Sequence, residues 1–308
     1  MRVAITGSTG LIGTALADGL RGAGADVTAL VRRPPSSGAE LRWDPTASDG
    51  GLAPSALSGF DAVVHLSGAP VAGGRWTPAR KRLLRSSRIG STSALVRAMM
   101  AAAEPPRVLL CASAIGWYGD TAGRAVDEAA PAGLGFLAAL VRDWEAAAAP
   151  AAAAGVRVAC LRSGVVLSRR GGMVRPLLPA FWLGLGARIG AGTQYLSWIS
   201  ITDHVRAVRF LLDQPDVSGP VNLTAPVPAT NAQFTRALAA AVRRPALLSV
   251  PAGAVRLALG ELSSELLGSS RVLPARLQQA GFSFDYPDIR PALAAEVHPL
   301  RRRIGTAR

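Results

Sequence analysis

Short apolar runs alternate with amphipathic stretches along the first two thirds of the chain. Val3-Ala4-Ile5 leads into a glycine-rich turn, an amphipathic segment over 11–21 and a second run, Val27-Thr28-Ala29-Leu30-Val31, which is a β, α, β order. Ala62-Val63-Val64-His65-Leu66 predicts a further buried strand, followed by one long helix carrying Leu83, Leu84, Ile89, Leu95, Val96 and Met99. Runs at 108–111 and 156–161 repeat the pattern, with a helix over 136–154 between them. Strands that are apolar throughout, separated by helices, predict a parallel sheet covered on both faces. After Leu161 the alternation weakens, and the Gly/Pro-rich text over 171–192 predicts an excursion out of the sheet. Regular structure resumes at Trp198-Ile199-Ser200-Ile201, with a helix from Asp203 to Leu212, a strand at Val221-Asn222-Leu223 and mostly helical text from Asn231. The expected fold class is α/β: a Rossmann-type doubly wound parallel sheet over 1–225, its 171–192 excursion reaching toward a cleft. A smaller, mostly helical C-terminal substrate-cleft domain is expected over 226–308.

Composition narrows the class. Apolar residues make up 49% and charged ones 18% of 308, a globular balance. The formal charge of +14 is nearly all arginine, since Lys81 is the sole lysine. The arginines are scattered without interleaved aromatics, so no nucleic-acid partner is expected, and the cluster Arg301-Arg302-Arg303 reads as a solvated tail. Cys111 and Cys160 lie in apolar runs and read as free buried thiols of a reducing compartment. The chain opens on a strand pattern rather than a signal peptide, and no run approaches the roughly 18 apolar residues of a membrane span, so a cytoplasmic protein without a membrane partner is expected. No Cys, His or carboxylate spacing suggests a metal.

The first turn, Gly7-Ser8-Thr9-Gly10-Leu11-Ile12-Gly13, carries the chemistry. One glycine permits the tight turn, one the approach of backbone to a pyrophosphate, and one close packing of helix on sheet, with the helix N-terminus facing the anion. A dinucleotide is therefore expected at Gly7, Thr9, Gly10, Leu11, Ile12 and Gly13, completed by the post-strand loop Leu66, Ser67, Gly68 and Ala69. An acid ending the second strand would favour a ribose 2′-hydroxyl; here the text is Val31-Arg32-Arg33-Pro34. Either Arg32 or Arg33 can pair with a 2′-phosphate, so the expected cofactor is NADP(H).

The glycine turn, Leu66-Ser67-Gly68-Ala69, Ser113-Ala114-Ile115-Gly116-Trp117-Tyr118-Gly119-Asp120 and Gln194-Tyr195-Leu196-Ser197-Trp198-Ile199 together resemble the atypical extended short-chain dehydrogenase/reductase proteins, in their epimerase-like subgroup with a small C-terminal domain. The resemblance spans about residues 1–300. It implies a Rossmann domain, a C-terminal domain closing a substrate cleft and a nicotinamide cofactor. Catalytic members of the wider superfamily use Ser, a Tyr-x-x-x-Lys pair and an Asn, the lysine tuning the tyrosine for proton exchange. Ser113 matches the serine. Tyr118 is followed four residues on by Ala122, and the working tyrosine and lysine positions fall on Leu137 and Val141, which transfer no proton. The asparagine position falls on Arg88.

Ser113, Arg88 and Arg162 are thus the candidate catalytic groups: the serine holds the reacting oxygen, and one of the arginines offers positive charge. Arg162 follows from its place at the carboxyl end of a strand, where open α/β sheets bind ligands. Trp117 and Tyr118 are cleft or packing residues, His65 is a satisfied strand histidine, and Asp203, beside His204, is a helix cap. The expected function is that of an NADP(H)-binding oxidoreductase or epimerase-like protein acting on a small molecule. A non-catalytic NADP(H) sensor is the alternative, which the missing tyrosine and lysine favour; nucleic-acid binding stands behind both.

Overall fold

Alternation within the first strand decides which residues face which helices. Val3 and Ile5 of β1 (Arg2–Thr6) point to one side with Leu16 and Leu20, whereas Ala4 points to the other with Val63, Leu95 and Met99. The computed structural model describes residues 1–47, 51–53 and 55–298; the arginine cluster at 301–303 lies outside the described residues. The strands β2 (Asp26–Val31), β3 (Glu40–Arg42), β4 (Ala62–His65), β5 (Val108–Ala114), β6 (Arg157–Ser163) and β7 (Gly219–Leu223) join β1 in one parallel sheet of order β7-β6-β5-β4-β1-β2-β3. This is a Rossmann-type doubly wound sheet. Its order reverses between β1 and β4, and ligands of open α/β sheets bind in the crevice that such a reversal opens at the carboxyl ends of the strands.

One face is covered by α1 (Leu11–Arg21) and the helix Ile201–Leu212. The other is covered by a helical run and by a long helix. The run begins at α2 (Pro78–Arg85), where Thr77 accepts a hydrogen bond from the Arg80 amide and Pro78 fills the first turn. Sequence periodicity predicts a single helix here. The observed run instead widens into a π-turn at Ser86–Gly90 before α3 (Ser91–Met100). The long helix, α4 (Phe136–Ala153), follows Gly135, whose φ of +101° excludes a side chain at low cost.

A third core lies beyond the sheet. Leu167, Trp198, Phe181, Phe234, Leu238 and Leu293 pack together, joining the stretch after β6 to the C-terminal helices Asn231–Val242 and Ile289–Val297. The 171–192 excursion is more regular than its Gly/Pro text predicts. It contains the helix Val174–Trp182 and the strand Ala187–Ile189, which pairs in parallel with Leu248–Val250. Pro176 sits in that helix's first turn, where its missing amide would have had no partner.

The helix Ile201–Leu212 begins two residues earlier than the sequence predicts, because Ser200 rather than Asp203 is its cap. The Asp203 carboxylate, fully buried, accepts from the Ser200 hydroxyl, from Arg206 and from the backbone amides of Asp285 and Tyr286. It is a clamp that ties the C-terminal segment to the sheet.

Candidate active site

The crevice between β1 and β4 is shaped for close approach of a ligand to backbone. Gly7 has φ +68°, and a Cβ there would lie 2.8 Å from the Leu66 carbonyl carbon and oxygen; a Cβ on Gly13 would run into the Gly7 carbonyl. Gly10 caps α1 without a side-chain hydrogen bond, and no acid stands in the first turn. The helix therefore presents unpaired amides and a positive dipole end, the donor set that a pyrophosphate requires. Thr9, Leu11 and Ile12 lie along this turn, with Thr9 exposed and the other two half-buried.

Thr6 fixes the facing loop. Its Oγ1 accepts from the Leu66 and Ser67 amides at 3.0 and 3.2 Å, so its own proton goes to His65 Nδ1 at 2.7 Å. His65 is thereby the Nε2–H tautomer and donates to Thr92 Oγ1 at 3.1 Å. Ala69 donates its amide to Ser87 Oγ, which leaves exposed Gly68 at the rim.

At the end of β2 the two arginines differ. Arg33 forks onto Glu40 at 2.9 and 2.5 Å, and Ser36 donates to the same carboxylate through both amide and hydroxyl. Sequence reading finds no acid near this strand end; the fold brings Glu40 there from β3. Its hydrogen bonds from Arg33, and then from Ser36, hold its pKa down to about 2. Arg32 is exposed and makes no ion pair or hydrogen bond of this kind among the described residues; its charge is felt by Asp44 but its fork is not occupied.

Ser113, at the end of β5, belongs to a network that sequence reading did not assemble. Its hydroxyl donates to Glu145 Oε1 at 2.5 Å, and Arg162 closes a fork on the same carboxylate at 2.8 and 2.9 Å. Glu145 stands on the inward face of α4, a helical turn beyond Val141. Arg162, 2% exposed, also lies over the Trp117 ring, 3.8 Å from its centroid, and donates to the Tyr118 hydroxyl at 3.0 Å. Tyr118 passes its own proton to Asn222 Oδ1 at 2.8 Å. Burial raises its pKa, which Arg162 offsets only in part, so the phenol is neutral and already committed as donor. The Asn222 backbone amide in turn donates to Glu128 Oε1 at 2.9 Å. Leu137 packs against Gly116, and Val141 is buried: these two positions supply apolar contacts and no proton.

Arg88 sits on the π-turn and is 8% exposed. Its guanidinium lies against Gly68 and over the Trp144 ring, and burial, followed by the charge of Arg80, lowers its pKa to about 10. It remains cationic at neutral pH. Arg88, Gly68 and Ser67 thus meet on the β4 side, whereas Ser113 and Arg162 meet on the β5–β6 side.

His65 and His204 are fully enclosed, and burial lowers their pKa values to about 3 and about 4. His204 shares its Nε2 with the Ser163 hydroxyl at 2.9 Å. Both pKa values lie below the 6.5 of a free imidazole, so the unfolded chain binds the extra protons. Stability is full above about pH 6.5 and is lost as pH falls toward 4 and then 3. At about 1.4 kcal/mol per pH unit for each imidazole, urea unfolding at pH 5 should show about 4 kcal/mol less stability than at pH 7. Glu128, which is buried, and half-buried Glu296, whose pKa values desolvation raises, return part of that loss. Unchanged stability would mean that both rings accept charge inside the fold.

Sequence comparison finds the same architecture in known proteins. The model of the NAD dependent epimerase/dehydratase family matches residues 3–223. The chain belongs to this family. A domain of unknown function, DUF1731, matches residues 250–296. The epimerase family protein Mb2239 of Mycobacterium bovis is 50% identical over 292 residues, covering 94% of this chain and 96% of that protein. Epimerase family protein SDR39U1 of Mus musculus is 36% identical over 297 residues, covering 95% and 98%. Among solved structures, human SDR39U1 (isoform 2) with NADPH superposes with a TM-score of 0.89 at 33% identity, covering 97% of this chain and all of that one (100%).

Within this family framework, a cavity of about 430 Å³ opens between Asp120, Gln194, Tyr195, Arg256 and Ser269. None of the glycine turn, Ser113, Glu145 or Arg162 lines it, so it is separate from that turn and that network. No three His, Cys, Asp or Glu residues cluster as metal ligands among the described residues, nor is any helix there long and apolar enough to cross a membrane.

Proposed function

We propose that this family member binds NADP(H) in the β1–β4 crevice and exchanges hydride with a small substrate whose reacting oxygen is held by Ser113, with Glu145 as the proton partner. The carrying observation is the 2.5 Å hydrogen bond from Ser113 Oγ to a carboxylate that Arg162 clamps in place. The glycine cradle and the open amides of α1 fit the pyrophosphate, and Arg32 suits a 2′-phosphate. The human relative crystallised with NADPH supports the same cofactor here.

When bound, the nicotinamide supplies the hydride acceptor or donor. The chain's own residues handle the proton. In the oxidative direction the substrate hydroxyl gives its proton to Ser113 Oγ while the Ser113 proton passes to Glu145 Oε1. Reduction runs the same relay backward from a protonated Glu145. Arg162 is a positioning residue: its charge is spent on Glu145, and its fork fixes the carboxylate's orientation. Arg88 holds the uncompensated positive charge on the other side of the cleft.

A second reading has an observation in its favour. Ser113, Glu145, Arg162, Tyr118 and Asn222 satisfy one another, as a strut in an NADP(H)-sensing protein would. Stopped-flow and steady-state NADPH oxidation separate the two. Turnover of ordinary sugar nucleotides and simple carbonyls should be very slow. With a substrate that turns over, Ser113→Ala and Glu145→Gln should each lower kcat by about 10²–10⁴-fold. NADPH affinity should hold, and Tyr118→Phe should change little. Undiminished kcat in both variants would refute the Ser113–Glu145 relay, whereas saturable NADPH binding with no turnover of any substrate would favour the sensing role.

A further inference from the structure

Apart from Arg82, which is exposed, the cations of the 80–88 run fall into two groups. Lys81 pairs with Glu261, and Arg85 pairs with Asp143. The two that turn toward the loop after β4 have no acid. Arg88 finds one acceptor among the described residues, the Leu84 carbonyl at 3.4 Å. Arg80 bonds the Pro70 carbonyl and packs close to Gly73, while its buried Nε has no partner among the described residues. The charge of Arg80 is felt at Arg88.

Burying an unpaired cation costs several kcal/mol, and placing a second one beside it adds to that cost. Neighbouring carboxylates bring no relief, since Glu145 is taken by Arg162 and Ser113. Such a pair is stabilised by an anion that enters the cleft. A planar fork matches the oxygens of a carboxylate or phosphate. The cofactor's own anions have other seats in the proposed arrangement, the pyrophosphate at α1 and the 2′-phosphate at Arg32.

We propose that Arg80 and Arg88, set against the loop 68–75, hold an oxyanion group of the substrate, a carboxylate or a phosphate. This rests on reading the cleft as an NADP(H)-dependent active site. It makes the substrate an acid or a phosphate ester, anchored at the β4 side while its reacting oxygen meets Ser113.

Calorimetric titration of the NADPH-saturated protein with inorganic phosphate and, separately, with malonate at constant ionic strength tests this. At least one should bind saturably, and Arg88→Gln and Arg80→Gln should each weaken it at least about tenfold while NADPH affinity is unchanged. The tighter probe tells phosphate from carboxylate. If Arg88→Gln fails to fold, Arg80→Gln, at a partly exposed position, carries the test. Absence of binding by either probe, equal binding to wild type and variants, or displacement of the probe by NADPH would overturn the proposal, the last assigning the pair to the cofactor. Failure of NADPH itself to bind would sink the cofactor reading separately, and the same titration on the free protein would still report on the arginine pair.

Discussion

Gly13→Ala is expected to abolish useful NADPH binding. The new Cβ would run into the Gly7 carbonyl, so the turn must open and the α1 amides lose their aim at the pyrophosphate. Loss of that geometry should weaken affinity by about 100-fold or more, which is about 2.7 kcal/mol or more. Fluorescence titration of NADPH measures it. Urea unfolding of the same variant shows whether the sheet, whose β1 core residues are fully buried, has survived. Wild-type affinity in a folded Gly13→Ala protein would mean that the cofactor does not approach this turn.

Arg162→Met should be the most damaging single change to stability around the Ser113–Glu145 network. It leaves Glu145 mostly buried without its cation, and removes a donor to Tyr118 and the ring contact with Trp117. Breaking a buried pair on one side costs about 3–5 kcal/mol. Adding Glu145→Gln to Arg162→Met should recover a large part of that loss, because the stranded charge is then gone. Chemical denaturation of the two single variants and the double variant measures the coupling. Additive losses would show that the carboxylate does not depend on Arg162.

The glycine turn was legible because its chemistry is local: strand, turn and helix are consecutive, and the spacing of Gly7, Gly10 and Gly13 states the steric requirement directly. The sheet was legible because strands buried on both faces read as unbroken apolar runs. Ser113 could be found from its place after one of them. Glu145 could not, since it looks like any acid on an amphipathic helix until α4 is laid against β5 and β6. Asn222 and Glu128 reach the same network from distant parts of the chain. Glu40 was missed for a similar reason: β3 is three residues long and half-exposed, and it carries little apolar signal. The π-turn left no mark because the apolar stripe continues through it, yet buried Arg88 lies on that turn. Regular text was also hidden in 171–192, where glycine and proline mask a helix that carries Pro176 in its first turn and Pro179 in its interior.

The central claim is that the crevice between β1 and β4 holds a phosphorylated nicotinamide dinucleotide. Parallel titration of the wild-type protein with NADPH and NADH tests it most directly. The account predicts tighter binding of NADPH by the equivalent of one charge-assisted contact to Arg32, about 1.5–3 kcal/mol, with Arg32→Ala removing most of the difference and Arg33→Ala, whose fork is occupied by Glu40, removing less. Equal affinity for the two dinucleotides, or no binding of either, would contradict it.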